Sequence, residues 1–211
     1  MSVYKLYYFN VRGRGEICRL AFEAANIEYE DIRLDGEDWV KEKESGRPPL
    51  GQIPFIITPE GKILGQSNAI AKFICKQGGL SPSDSFDEAI ADMISDGVED
   101  VVANIIEAFM EKDEDKKVKL QKDFFENIFP AKLRNFESLL KERNEGKGFF
   151  LGDEMTYADI TFFNMCNAFA EGKPIVPKQL SEYPLLVEHY ERVLNVPQIK
   201  GWIEKRPKTD H

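Results

Sequence analysis

The stretch YKLYYFNVRGRGEICRL, residues 4–20, joins a strand pattern to a helix pattern through a turn that is rich in glycine and arginine. Residues 3–9 are aromatic and β-branched, as strand residues usually are. From Glu16 the apolar residues recur at the spacing of one helix face, which predicts a helix that ends near Asn26. The next segment, EYEDIRL at 28–34, predicts a second strand, and this β-α-β order favours parallel strands with a right-handed crossover.

A β-hairpin and a helix are predicted after a polar stretch that follows the second strand. The sequence PPLGQIPFIITPEGKILGQS, residues 48–67, contains two strand patterns, at 55–58 and 62–64, with the turn residues Pro-Glu-Gly between them. Ser67 is a good N-cap for the next helix, and a Gly-Gly pair is expected to end that helix. Residues 1–79 therefore predict the order β-α-β followed by β-β-α.

The second half of the chain predicts an all-helical domain. The pattern changes at Gly78-Gly79-Leu80-Ser81-Pro82, where turn residues cluster and the strand signals end. Helical apolar spacing follows in four segments, at 86–111, 116–142, 156–170 and 184–194, with breaks at 112–115, 145–148 and 172–177. Thr156 and Asp159 form a capping box at the start of the third segment. We therefore expect an α/β domain over 1–79 and an all-α domain over 82–211.

The composition is that of a globular chain and excludes several classes of protein. Of the 211 residues, 42% are hydrophobic and 31% are charged, so the chain can build a hydrophobic core. The formal net charge is −9 and no basic run is present, so we expect no nucleic-acid partner. No segment approaches the ~20 apolar residues of a membrane span, and the N-terminus lacks a signal-peptide pattern. Three cysteines without C-x-x-C spacing indicate a reducing compartment, so a cytoplasmic protein without membrane attachment is expected.

Two short motifs in the first domain could carry chemistry, and each has an ordinary structural explanation as well. Tyr8 ends the first strand and Arg14 lies in the turn after it, but a strand-end tyrosine is more often a core residue. Gln52-Ile53-Pro54 precedes a strand, and an X–Pro bond is trans in about 94% of cases. A cis bond at Pro54 would instead leave the Ile53 backbone free to pair with an extended peptide ligand.

Two further motifs could bind charged groups. Gln66 and Ser67 lie at a helix start, where free N–H groups and the helix dipole attract a carboxylate or a phosphate, unless Ser67 is only a cap. Asp96, Glu99 and Asp100 share one face of a predicted helix. Such a trio is usually solvated, and its alternatives are a cationic ligand group or a weakly held Mg²⁺ or Ca²⁺ ion.

Other common site types are not indicated by the sequence. His189 and His211 are distant in sequence from the cysteines and from each other, so neither a metal cluster nor a Cys–His nucleophile is expected. Gly13 and Gly15 do not complete a G-x-G-x-x-G phosphate loop, because position 18 is a cysteine. We therefore predict no required metal.

Taken together, these motifs resemble the cytosolic glutathione transferases. Within that family they are similar to the sigma class, which includes glutathione-dependent prostaglandin D synthases and the S-crystallins of cephalopod lenses. The resemblance spans the chain and is carried by YKLYYFNVRGRGEICRL, EDW around Trp39, GQIP, GQSNAIAKFI and GDEMTYADI. It implies a thioredoxin-like N-terminal domain, an all-α C-terminal domain, glutathione as co-substrate, a homodimer and a role in detoxification.

The resemblance also implies roles for individual residues. Tyr8 would donate a hydrogen bond to the glutathione sulfur, with Arg14 close by as the second catalytic residue. Trp39 and Lys43 would bind the glycyl carboxylate end. The Ile53 backbone, before a cis-Pro54, would pair with the cysteinyl backbone, and Gln52 would line the same groove. Gln66 and Ser67 would bind the γ-glutamyl carboxylate, and Asp100 of a neighbouring subunit would reach the α-amino group. The activated thiolate would attack an electrophilic carbon or reduce a hydroperoxide.

The sequence defines the second substrate less well. Prostaglandin D synthases of this class carry a tryptophan in the helix after the acidic trio, whereas the two tryptophans here are Trp39 and Trp202. Conjugation of hydrophobic electrophiles is therefore the leading interpretation, with a pocket lined by Phe9, Val102 and Ile105. The alternatives are a prostaglandin D synthase-like isomerase and a non-catalytic structural protein like an S-crystallin.

Overall fold

A computed structural model gives the fold of residues 3–170 and 176–209. The contacts among these residues divide the chain into two units. The first unit combines the residues up to Ser81 with those from Asn195 onward, and the second lies within Pro82–Leu194.

A four-stranded mixed sheet organises the first unit. Its strands are β1 (Tyr4–Phe9), β2 (Tyr29–Leu34), β3 (Phe55–Ile57) and β4 (Ile63–Gly65), in the spatial order β2-β1-β3-β4. β1 pairs in parallel with β2 and antiparallel with β3, and β3 and β4 form the hairpin. Because side chains alternate along a strand, Tyr7 and Tyr8 point to opposite faces of the sheet. Tyr7 stacks on Phe55 at 4.6 Å between ring centroids, in a cluster with Leu34.

Three helices lie between or after these strands: α1 (Glu16–Ala24), α2 (Gly36–Glu44) and α3 (Ser67–Gln77). α1 and α3 pack against each other and bury their apolar faces. α2 was not predicted, because its sequence GEDWVKEKE has almost no apolar stripe. It is held at its start by Asp35, whose carboxylate accepts the Asp38 backbone N–H at 2.8 Å. A capped polar helix of this kind does not show in hydrophobic periodicity.

The second unit contains five helices in its described residues: α4 (Ser85–Met110), α5 (Glu114–Asp123), α6 (Phe129–Glu142), α7 (Tyr157–Phe169) and α8 (Pro184–Leu194). The segment predicted as one helix over 116–142 is two helices joined by a π-helical turn at Phe124–Ile128. That wider turn brings Phe124 and Phe129, five residues apart, into a stack at 5.3 Å between ring centroids. Part of the break predicted at 172–177 lies outside the described residues.

The predicted capping box at the start of α7 is confirmed. The Asp159 carboxylate accepts the Thr156 backbone N–H at 2.7 Å and the Phe150 N–H at 2.8 Å. His189 reaches the same carboxylate from α8, with Nε2 2.8 Å from Oδ1. Asp159 and His189 are both fully buried, so this contact links α7 to α8 inside the core of the unit.

The last helix, α9 (Pro197–Lys205), belongs to the first unit. We expected residues from 195 onward to be part of the all-α domain over 82–211, whereas α9 packs against α1 and buries Ile199, Trp202 and Ile203. The helix has nine residues, so its short apolar face gave no sequence signal about which unit it joins. None of the helices within the described residues is long and apolar enough to cross a membrane.

Candidate active site

Tyr8 lies near the end of β1 and is 8% exposed. Its hydroxyl oxygen accepts the backbone N–H of Arg14 at 2.9 Å. The hydroxyl hydrogen has no acceptor among the described residues, so it can be donated to a ligand. The turn between Tyr8 and Arg14 therefore orients the phenol and leaves its donor function unused.

The turn that covers the Tyr8 ring is built from glycine. Gly13–Gly15 forms a single 3-10 turn, and Gly13 has a φ of +38°. A Cβ atom on Gly13 would lie 2.7 Å from the Tyr8 hydroxyl oxygen, and one on Gly15 would lie 2.3 Å from the ring. Real Cβ atoms essentially never make contacts this close. The turn can approach Tyr8 because both residues lack a side chain.

The pKa of Tyr8 is raised above its ordinary value. Burial is the largest cause, and the hydrogen bond from Arg14 and the charges of Arg19 and Arg14 oppose it. Tyr8 therefore stays protonated at neutral pH, as a hydrogen-bond donor must. Because the N–H and the guanidinium groups lower the pKa, they make the hydroxyl a stronger donor than burial alone would.

Trp39 and Lys43 lie one turn apart on α2 and extend the site from Tyr8. The Tyr8 and Phe9 rings are 5.7 Å apart, and Phe9 meets Trp39 edge-on at 6.2 Å between centroids. The Lys43 ammonium lies 5.9 Å from the Trp39 ring centroid. Trp39 is partly buried, whereas Lys43 is exposed. The structure therefore brings these residues into one continuous row with Tyr8.

The Ile53–Pro54 peptide bond is cis. Among the described residues, the backbone N–H and C=O of Ile53 have no hydrogen-bond partner in the turns and loops. The Ile53 side chain packs on the cluster of Tyr7, Leu34 and Phe55, against which Trp39 also packs. Ile53 therefore lies on the same side of the sheet as Trp39, with backbone groups that a peptide could pair with.

Gln66 precedes α3 in an unusual conformation, with a φ of +69°. The expectation that Ser67 caps this helix was wrong: Ser67 is the first helical residue, and Gln66 is the N-cap without a side-chain bond. Ser67 is buried and Gln66 is exposed. The Gln66 Nε2 atom lies 3.5 Å from Oε1 of Gln52, so the two amides are neighbours at the edge of hydrogen-bond range. Non-glycine residues with positive φ are concentrated at ligand sites.

The remaining predicted residues lie on α4 in the second unit. Asp100 is exposed, and its carboxylate pairs with the Lys132 ammonium of α6 at 2.9 Å. Val102 and Ile105 are partly buried on the same helix. Within 3–170 and 176–209, no group of three or more carboxylates, histidines or cysteines is arranged to hold a metal ion.

Comparison with known proteins adds independent evidence. A family model of the glutathione S-transferase N-terminal domain matches residues 4–76, and one of the C-terminal domain matches residues 99–206. The chain belongs to the glutathione S-transferase family. Family membership confirms the resemblance and the fold class inferred from the sequence, and this family uses glutathione as co-substrate.

Individual members of the glutathione S-transferase family match over nearly the full chain. The hematopoietic prostaglandin D synthase of Gallus gallus is 37% identical over 99% of this chain and 99% of its own. S-crystallin 4 of Enteroctopus dofleini is 30% identical over 100% of both chains. The structure of a Nu-class glutathione transferase from Haemonchus contortus has a TM-score of 0.86 at 34% identity, covering 99% of this chain and 98% of that one.

Sequence reasoning missed two charged residues that this glutathione S-transferase fold buries, one of which lies beside Tyr8. Arg19 is fully buried and Glu16 is 3% exposed, both on α1. The Arg19 guanidinium lies 5.8 Å from the centroid of the Tyr8 ring. Their signal was present in the sequence: Glu16 and Arg19 are spaced i, i+3 and directly precede the apolar residues Ile17 and Leu20, so they lie next to the buried face.

Proposed function

We propose that this protein conjugates glutathione to hydrophobic electrophiles, with Tyr8 donating a hydrogen bond to the glutathione sulfur. The observation that carries the proposal is the Tyr8 hydroxyl, whose oxygen accepts the Arg14 N–H while its hydrogen has no acceptor among the described residues. The raised pKa of Tyr8 keeps that hydrogen in place. Arg14 and the buried Arg19 add positive charge beside the phenol.

A donor of this kind is sufficient to activate a thiol. A free cysteine thiol has a pKa of about 8.5, so only a few per cent is thiolate at neutral pH. A hydrogen bond to a charged group contributes about 1.5–3 kcal/mol, which lowers the thiol pKa by about 1–2 units. The thiolate then attacks an electrophilic carbon and displaces its leaving group, such as chloride. In a second activity of the same site it attacks a hydroperoxide, which breaks the O–O bond to give an alcohol and an oxidised glutathione sulfur that a second glutathione converts to the disulfide.

The tripeptide would lie along the row of residues that begins at Tyr8. The exposed Lys43 ammonium and the Trp39 indole would bind the glycyl carboxylate, and the backbone of Ile53 before cis-Pro54 would pair with the cysteinyl residue. The γ-glutamyl carboxylate would meet the first N–H groups of α3, beside Ser67 and the amides of Gln66 and Gln52. Binding at both ends fixes the position of the sulfur.

The assembly of the protein and its contacts with the second substrate are part of the same proposal. The protein is expected to be a cytoplasmic homodimer in which Asp100 reaches the glutathione α-amino group of the neighbouring subunit. Phe9, Val102 and Ile105 would contact the hydrophobic electrophile. The opposite charges of Asp100 and a protonated amine support the first contact, and the apolar side chains support the second.

The test is conjugation of 1-chloro-2,4-dinitrobenzene, together with the ultraviolet absorbance of the thiolate in the glutathione complex as a function of pH. We expect turnover, and a bound thiol with a pKa about 1–2 units below that of free glutathione. A protein that binds no glutathione and has no turnover would refute the proposal and favour a structural role like that of an S-crystallin.

A second candidate function is isomerisation of prostaglandin H2. The 37% identity to the Gallus gallus prostaglandin D synthase favours it. The absence of a third tryptophan after the acidic trio weighs against it. The two functions are separated by adding prostaglandin H2 with glutathione and measuring prostaglandin D2 by mass spectrometry, because the isomerase consumes no glutathione whereas conjugation does.

A further inference from the structure

A largely buried cluster of four charged residues and one tryptophan connects the C-terminal helix to the region of Tyr8. We call it the Glu16 cluster, and its members are Glu16, Arg19, Asp31, Trp202 and Arg206. The side chains of Glu16 and Arg206 are 4% and 6% exposed, and that of Arg19 is not exposed. Buried charges are expensive unless each one is paired and hydrogen-bonded, so these contacts are specific rather than incidental.

Glu16 is shared between α9 and Arg19. Its Oε1 atom accepts the Trp202 indole N–H at 2.8 Å and a hydrogen bond from Arg206. Its Oε2 atom accepts a hydrogen bond from Arg19 at 3.2 Å. Burial raises the pKa of Glu16, but the charges of Arg206 and Arg19 and the indole hydrogen bond outweigh it and lower the pKa overall. Glu16 is therefore ionised, with Arg19 bonded to one carboxylate oxygen and Trp202 and Arg206 bonded to the other.

Arg19 links Glu16 to the residues that follow Tyr8. Its Nη1 atom donates to the carbonyl of Val11 at 2.8 Å, and its Nη2 atom donates to the carbonyl of Phe9 at 3.2 Å. Its Nε atom donates to both oxygens of Asp31, at 3.2 and 3.1 Å. The two carbonyls lie on either side of residue 10, so one guanidinium group fixes the exit of β1 into the glycine turn.

A second arginine holds the residue between those two carbonyls. Arg33 pairs with the same Asp31 carboxylate at 2.8 Å, and it donates to the Asn10 side chain at 2.9 Å. Residues 9–11 are thus held by arginines at three successive positions, directly after Tyr8. The hydroxyl of Tyr8 is then fixed from the far side of the turn by the Arg14 N–H.

We propose that α9 is a positioning element for the thiol-activating turn: Trp202 and Arg206 act through Glu16 and Arg19 to hold residues 9–11, and with them Tyr8. The proposal rests on the proposed function of Tyr8 and extends it to residues that contact neither the ligand nor Tyr8. Trp202 and Arg206 are positioning residues in this scheme. They are about 190 residues from Glu16 in sequence.

The direction of the effect follows from the charges that face these groups. Glu16 faces Arg19 on its own helix, Trp202 on α9 and Arg206 directly after α9, while Arg19 also faces Asp31 on β2. The charged or titratable groups that act on Tyr8 are Arg14, Arg19 and Cys18. Without Arg206, the negative charge of Glu16 is neutralised by Arg19 alone. The positive potential beside Tyr8 then falls, and the bound thiol becomes less acidic.

The experiment compares Arg206→Gln with Lys205→Gln, the matched control. Lys205 is the neighbouring cation on α9. It pairs with Glu23 of α1 at 2.9 Å and lies 5.6 Å from the Trp202 ring centroid, but it makes no hydrogen bond or ion pair with Glu16, so its removal takes away a cation near the cluster and keeps every hydrogen bond to Glu16. The measurements are the thiol pKa of the glutathione complex, the pH profile of kcat/KM and the thermal unfolding midpoint. Arg206→Lys tests whether restoring the charge restores the thiol pKa. Trp202→Phe removes only the indole donor and keeps most of the packing.

We expect Arg206→Gln to raise the thiol pKa by about 0.5 unit and to lower kcat/KM about threefold near neutral pH, with the loss vanishing at high pH. Arg206→Lys should recover most of the shift, and Lys205→Gln should match the natural protein. Equal thiol pKa values in Arg206→Gln and Lys205→Gln would overturn the inference. If Arg206→Gln does not fold, Trp202→Phe decides by the same comparison. A natural protein without a thiolate signal would instead count against the proposed function itself.

Discussion

The most informative single perturbation is Tyr8→Phe, because it removes one oxygen and leaves the packing of the ring against the glycine turn intact. Two hydrogen bonds depend on that oxygen. One is the bond from the Arg14 N–H, at 2.9 Å, and the other is the proposed bond to the glutathione sulfur. The first affects the stability of the free protein and the second affects only the glutathione complex, so the two losses can be measured separately.

The size of each loss follows from the type of hydrogen bond. Removing a neutral acceptor from the Arg14 N–H costs about 0.5–1.5 kcal/mol of unfolding free energy. Removing a donor to the thiolate costs about 1.5–3 kcal/mol, which is a tenfold to hundredfold decrease in kcat/KM at neutral pH. Because the thiol pKa rises by the same free energy, the difference from the natural protein should disappear at pH values above the new thiol pKa.

Tyr7→Phe is the matched control, since it makes the same change one residue away on the opposite face of β1. Tyr7 stacks on Phe55 and its ring contacts survive the change. The assay is glutathione conjugation of 1-chloro-2,4-dinitrobenzene from neutral to alkaline pH, with urea unfolding of both variants. Equal kcat/KM for Tyr8→Phe and the natural protein at neutral pH would remove the role of the hydroxyl. A loss of the same size at every pH would show that the hydroxyl does not act on thiol ionisation.

Three further predictions concern other parts of the structure. Gly13→Ala should lower unfolding free energy by about 1–2 kcal/mol and reduce kcat/KM, because its Cβ would lie 2.7 Å from the Tyr8 oxygen. Gly61→Ala is the control, because Gly61 has a φ of +82° and open space around it. It should lower the unfolding free energy in urea through backbone strain alone and leave kcat/KM unchanged. Glu16→Gln should reduce the loss of stability in acid. Because the fold lowers the pKa of Glu16, the ionised carboxylate stabilises the folded protein at pH values above its unfolded pKa of about 4.5, and this stabilisation disappears as the pH falls through the folded pKa. Unfolding free energies measured from neutral pH to below pH ~4 should therefore depend less on pH in the variant, and an unchanged dependence would contradict the assignment. Alkylating reagents should modify none of the three cysteines in the folded protein and all of them after unfolding, and intact mass measures this. The reason is that all three are buried, which raises the pKa of every thiol, to about 12 for Cys75.

The sequence predicted the order of strands and helices wherever apolar residues repeat with a clear period. The β-α-β and β-β-α order, the long helix that became α4 and the capping box at Thr156 are of this kind. α2 was missed, because Trp39 is the one large apolar side chain in a helix held by its Asp35 cap. The Ser67 cap was wrong, because Gln66 adopts a backbone conformation that its side chain gives no reason to expect.

The site was partly predictable for a different reason. Tyr8 and Arg14 are six residues apart, so a turn between them was enough to suggest that they meet. The Glu16 cluster could not be found in the same way. Glu16 and Arg206 are 190 residues apart, and no pattern in the sequence indicates that α9 packs against α1. A buried ion pair between distant residues depends on the packing of whole helices, and local sequence patterns do not predict such a contact.

The donor to the Tyr8 oxygen is a main-chain amide, so the choice of side chain at position 14 does not decide whether that bond exists. Replacing Arg14 by another residue alters the local charge and keeps the orientation of the phenol. Only proline, which lacks the amide hydrogen, would remove both. The fold thus separates geometry from electrostatics at this position, and a change of side chain there can alter the charge beside the phenol while the hydrogen bond to Tyr8 is kept.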